Sequence, residues 1–166
     1  MSDEPPPPDD WRPAVTPRVL YKRLALAEVV TWTLLILGMI GKYGFGQDWA
    51  TSVGGGIHGF VFLCYVVATL AVWTDKRWSA GTGILGLVSA VIPYATVPFE
   101  RSVERRGLLE GPWRLGPGGE RPGGPADRVL SFALRSPVVA LLVTLIVVAI
   151  VFSLLVTAGP PTEWFS

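Results

Sequence analysis

The chain has 166 residues, of which 50% are hydrophobic and only 16% charged, against about 25% charged in ordinary soluble domains. A net charge of +1 gives no sign of a nucleic-acid surface. One cysteine and one histidine leave no internal disulfide and no Cys/His metal framework.

Four apolar stretches, residues 24–40, 53–73, 80–99 and 137–157, dominate what remains. Around 20 mostly apolar residues in a helix cross a hydrocarbon core about 30 Å thick. The expected fold is therefore all-α, a membrane bundle of four transmembrane segments, with a broken or re-entrant third segment as the alternative. Four divisions follow: an arm at 1–20, a three-segment membrane unit at 21–106, a loop at 107–136, and a fourth span with its tail at 137–166.

In chain order, the arm carries Pro5-Pro6-Pro7-Pro8. Proline removes backbone donors and fixes φ, so this arm is read as extended and disordered. Its charges do not make a cleavable secretory signal. The first span opens after Lys22-Arg23, carries Glu28 near its start and closes at Gly41-Lys42-Tyr43. The short connection 44–52 makes the second span an antiparallel neighbour. That span opens with Gly54-Gly55-Gly56-Ile57-His58-Gly59 and holds Cys64, an inert small hydrophobe in such surroundings.

The third stretch has Gly81, Gly83 and Gly86 early and Pro93 and Pro98 late. Proline frees a carbonyl that a neighbour must satisfy in a membrane. Residues 100–110 and 126–135 read as short helices, with a Gly/Pro-dominated irregular segment between them. The fourth span, after Ser136-Pro137, has no glycine and reads as a peripheral helix facing lipid.

Ionisable groups inside a membrane are costly and often functional. Glu28 and His58 qualify. Four full crossings predict that they do not pair, since on straight helices they lie about 18 Å apart along the axis. Glu28 then shares a level with Lys76-Arg77. His58 shares one with Lys42, Tyr43, Tyr94, Thr96 and Glu100. Each residue has two readings: a proton or ligand site, or a structural role, which for His58 is a hydrogen-bonded tie between spans two and three and for Glu28 a first-turn carboxylate favoured by the helix N-terminal dipole and a nearby cation. Small residues at Gly55/Gly59 and at Thr82/Gly86/Ala90, with Pro93 beyond, mark close helix packing. No nucleophile constellation, phosphate loop or dinucleotide motif occurs, so neither an enzyme nor a cofactor is expected. A haem lacks a second histidine ligand.

Basic residues discriminate poorly between the two orientations of four full crossings. A re-entrant third stretch does better, because thirteen of the fourteen lysines and arginines then share one side.

The run Arg23-Leu24-Ala25-Leu26-Ala27-Glu28, then Lys42-Tyr43, Gly56-Ile57-His58-Gly59, Phe62, Lys76-Arg77-Trp78, and Ser89-Ala90-Val91-Ile92-Pro93-Tyr94 through Phe99-Glu100-Arg101 resembles the YdzA-like family of small bacterial integral-membrane proteins. The resemblance covers about residues 18–106 and marks Glu28, Lys42, His58 and Pro93. It implies a multi-pass protein of the bacterial plasma membrane with no established activity. The extra span is similar to longer actinobacterial members. The expected function is a non-enzymatic accessory or assembly subunit of a larger membrane complex. The alternative is a small oligomeric transporter or channel using Glu28 and His58. Expected partners are the lipid bilayer and a larger complex or a second copy, with no nucleic acid.

Overall fold

The computed structural model describes residues 15–157, whose regular structure is helical: α1 (Pro17–Phe45), α2 (Asp48–Lys76), α3 (Ala80–Val91), α4 (Thr96–Arg105), α5 (Pro125–Arg135) and α6 (Pro137–Thr157). The proline run lies outside the described residues. The arm boundary expected at residue 20 moves back, because helix capping acts earlier. Val19 donates its N–H to the Thr16 hydroxyl, and Pro17 takes the first helical position.

α1 and α2 form an antiparallel hairpin of two 29-residue helices joined only by Gly46 and Gln47. Gly46, at φ +69, takes the left-handed conformation that ends α1, and its N–H reaches the Lys42 carbonyl. Each helix is about 43 Å long, more than the hydrocarbon core needs, so both ends emerge from it. Two glycines set the approach. A Cβ on Gly38 would sit 2.6 Å from the Ala50 carbonyl oxygen, and one on Gly54 would sit 2.9 Å from that of Leu34. The Thr51 hydroxyl donates to the Gly38 carbonyl at 2.9 Å beside this contact.

The 80–99 stretch does not cross as one helix. α3 has 12 residues, about 18 Å, too short for the core. The chain turns extended at Ile92, passes Pro93, takes φ +64 at Tyr94 and resumes as α4. Pro93 has no N–H to continue the ladder and clashes with the preceding turn. α4 then comes back. The Thr96 hydroxyl donates to the Ala25 carbonyl, Glu104 pairs with Arg18, and the Arg106 guanidinium donates to the Thr82 hydroxyl. The end of α4 thus lies beside the start of α3. Residues 80–105 are a re-entrant hairpin, which corrects the expectation of a full crossing here. Among the described residues three helices, α1, α2 and α6, are long and apolar enough to span a membrane.

One consequence is electrostatic. Among the described lysines and arginines, Lys42 alone lies at the far end, paired with Asp48 at 3.2 Å. The others flank the starts of α1 and α6, the end of α2 or the loops around them. α6 occupies the expected 137–157 and leans on α2 by seating Phe152 against Gly59. Its other residues are mostly exposed, as a lipid-facing helix requires.

The Gly/Pro-rich segment after α4 is irregular but fastened to the end of α2. Asp75 is fully buried and accepts the N–H groups of Arg114 (3.0 Å) and Leu115 (3.1 Å). The Arg114 guanidinium donates to the Asp75 and Thr74 carbonyls and to Asp127 and Glu120. Lys76 donates to the Glu110 and Pro112 carbonyls. The Trp78 and Trp113 indoles donate to Leu108 and Val15.

Asp127 makes part of this fastening pH-dependent. The Gly123 N–H, and next the Arg114 guanidinium, hold its carboxyl below the ordinary 3.8. A depressed carboxyl contributes stability above its ordinary value and loses it as pH falls through the folded one. Protease cleavage within 107–124 will therefore not change on this account from pH 7 to 5 and will rise below about 4. Asp127→Asn will remove that acid step. An unchanged acid step in the variant would mean that another group controls the segment.

Candidate functional site

The polar interior lies on one stripe of α1 and one of α2. On α1, Tyr21, Ala25, Glu28, Thr31 and Gly38 recur every three to four residues, or seven, and are buried. On α2 the stripe is Gly54, His58, Tyr65, Thr69 and Val72. These spacings bring one helical face to the other.

Glu28 and His58 meet there. His58 Nδ1 lies 3.6 Å from Glu28 Oε2, with Glu28 fully buried and His58 8% exposed. This corrects the expected separation of about 18 Å. The physical reason is register. The glycine contacts set Gly38 against Ala50 and Gly54 against Leu34, which places Thr31 beside His58 and Glu28 one turn away. The levels inferred from the apolar windows do not apply. Lys76 turns to the 110–112 carbonyls instead of Glu28, and Lys42 pairs with Asp48 instead of approaching His58.

Thr31 bridges the two residues. The Thr31 hydroxyl donates its single hydrogen to the Glu28 carbonyl at 3.1 Å and also lies 3.1 Å from His58 Nδ1. The Trp32 indole covers the imidazole at 4.3 Å between centroids. Both Glu28 carboxyl oxygens and Trp32 Nε1 are buried without a hydrogen-bond partner among the described residues. An isolated buried carboxylate is expensive. A carboxyl beside an imidazole can stay neutral as a pair, either as acid and base or as carboxylate and imidazolium. The arrangement is able to hold one mobile proton.

A second cluster joins three helices. The Tyr21 hydroxyl is 2.7 Å from that of Tyr65 and 3.2 Å from Thr69, and Tyr65 is 3.1 Å from the Ser89 hydroxyl. Ser89 and Thr69 also donate to the Gly86 and Tyr65 carbonyls. Every hydroxyl is satisfied within the cluster, as a membrane interior demands. Sequence reading passed over Tyr21, Tyr65 and Thr69. Their signal was the i, i+4 pair of polar groups, Tyr65 and Thr69, inside an apolar run.

The remaining candidate residues are distributed. Tyr94 is exposed in the break, its hydroxyl 3.3 Å from that of Thr33. Glu100 is 3% exposed on α4, and its Oε1 has no partner among the described residues. Neither joins His58. Gly86 packs against Thr69 and Phe99, and Ala90 is fully buried. Gly59 meets α6, and Gly55 touches only the Leu35 side chain. Pro93 is exposed at the turn.

A family profile described as "Domain of unknown function (DUF3817)" matches residues 19–105, from the first turn of α1 to the end of α4. The chain is 35% identical over 91 residues to the putative membrane protein SCO5905 of Streptomyces coelicolor, covering 54% of this chain and 11% of that protein. It is 30% identical over 74 residues to the uncharacterized membrane protein YdzA of Bacillus subtilis, covering 42% of this chain and 73% of that protein. The match therefore spans about a tenth of the Streptomyces protein's length and most of the Bacillus protein's. No solved structure matches the chain.

Proposed function

This chain belongs to the DUF3817 family of integral membrane proteins, the YdzA-like proteins, and on that premise we propose that it is a non-enzymatic accessory or assembly subunit of a larger membrane complex. One observation carries the reading. A stretch similar to this chain makes up only 11% of a Streptomyces putative membrane protein. Such a unit can work while joined to a much larger membrane chain. The Tyr21–Tyr65–Ser89 ties support a structural role, since they hold α1, α2 and the re-entrant hairpin as one body. The basic face is cytoplasmic on the positive-inside preference.

A second reading, a small oligomeric transporter or channel, is favoured by the 3.6 Å approach of Glu28 and His58. Paired ionisable groups inside a membrane are a recurrent element of proton relays.

Purification of the tagged chain from its native membrane in mild detergent, followed by mass spectrometry, separates them. The accessory reading expects a stoichiometric larger partner, and it expects His58→Ala to lower abundance. A homo-oligomer that keeps its abundance but loses proton or solute flux in liposomes on His58→Ala would overturn it in favour of the transporter.

A further inference from the structure

α4 has two faces. Thr96, Glu100 and Val103 point into the bundle and are buried. Pro98, Arg101, Ser102, Arg105 and Arg106 line an open cleft of about 430 Å³. We propose that this cleft binds the phosphate of an anionic phospholipid headgroup in the leaflet that the re-entrant hairpin enters.

Depth is the first argument. Thr96 reaches the Ala25 carbonyl, and Glu104 reaches Arg18. α4 therefore descends beside α1 from just inside its apolar stretch, which begins at Leu24, to just outside it. Arg101 lies between those two levels and Arg105 one residue past the second, at the boundary where phosphates sit. A cleft opening there meets lipid headgroups before it meets soluble anions.

Charge is the second argument. Three guanidiniums converge on the cleft. The nearest acid on the same helix, Glu104, is engaged by Arg18, and Glu100 faces inward. Among the described residues no carboxylate lies within ion-pair distance of Arg101 or Arg105. Arg106 is fixed in place by its bond to Thr82 at 3.1 Å. Guanidinium forks match phosphate oxygens bidentately, and the Ser102 hydroxyl adds a donor. Basic pockets beside membrane helices on the cytoplasmic side suit such headgroups. Pro98 gives the cleft an apolar end for the glycerol and upper acyl chain.

The test uses the full chain in detergent micelles doped with equimolar phosphatidylglycerol and phosphatidylcholine, read by native mass spectrometry. The wild type will retain phosphatidylglycerol in preference. The double variant Arg101→Gln/Arg105→Gln, two exposed residues, will lose about tenfold of that preference or more while unfolding at the same temperature. Arg101→Lys/Arg105→Lys will keep part of it, since charge remains and the fork is lost. Equal retention of the two lipids by the wild type would overturn the proposal without any variant. So would an unchanged preference in the Gln variant. Displacement of phosphatidylglycerol by millimolar inorganic phosphate would show a soluble-anion site and overturn the lipid assignment.

Discussion

Asp75→Ala will release the 106–124 segment from the bundle and lower stability by about 3–5 kcal/mol, the range for removing one partner of a buried charged network. Its carboxylate is wholly buried at the end of α2 and accepts two backbone N–H groups, those of Arg114 and Leu115. Removing it orphans both donors and leaves Lys76, 3.6 Å away, without its nearest carboxylate. Arg114 still finds Asp127 and Glu120, so the loss concentrates at the backbone of 114–115. Thermal unfolding in detergent measures the stability. Limited proteolysis across 107–124 measures the release. Asp75→Asn, which keeps one acceptor oxygen, will fall between the two. Unchanged protection of the segment in Asp75→Ala would show that the tryptophan and lysine bonds suffice.

The second large effect is steric. A methyl group at Gly83 would overlap the Trp73 indole. That ring cannot easily move aside, because its Nε1–H donates to the Trp78 carbonyl at 3.0 Å and so closes the turn between α2 and α3. Overpacking of this kind costs about 1–3 kcal/mol or more. Here it pushes α3 off α2 and disturbs the whole re-entrant hairpin. Gly83→Ala will therefore sharply reduce the folded, monodisperse fraction on gel filtration. Gly81→Ala is the control on the same helix, since a Cβ there meets nothing within 4 Å. It will be neutral or slightly stabilising, as alanine outranks glycine in a helix. Equal damage from both substitutions would mean that flexibility near Ser79, not the indole, is what the glycines provide.

The helices that cross were legible because an uninterrupted apolar run has one physical solution in a bilayer. α6 illustrates this, matching the expected 137–157 at both ends. The break in the third stretch was legible as an alternative through Pro93 and through the asymmetry of the basic residues. What decided it, the Thr96, Glu104 and Arg106 contacts, joins residues far apart in the chain.

The membrane-buried site was half legible. Glu28 and His58 stood out as ionisable residues in apolar surroundings, yet their pairing did not. Pairing depends on helix register, and register depends on which glycines touch. The Gly54-Gly55-Gly56 run was visible, but only Gly54 faces α1 closely, and its counterpart Gly38 carried no local mark. Asp75 was hidden for a related reason. It reads as a turn residue, and its donors lie some 40 residues further on.

The Glu28–His58 contact also bears on biogenesis. An ionised side chain entering a membrane on an isolated helix costs up to about 2.5–3.5 kcal/mol on insertion scales. α1 alone carries Glu28 into the bilayer uncompensated, and the imidazole that neutralises it arrives 30 residues later on α2. With only two residues between the helices, the nascent chain can deliver both together. Partitioned together as one hairpin, the two helices bring the carboxyl and its imidazole neighbour into the bilayer at once, which partitioning α1 alone does not.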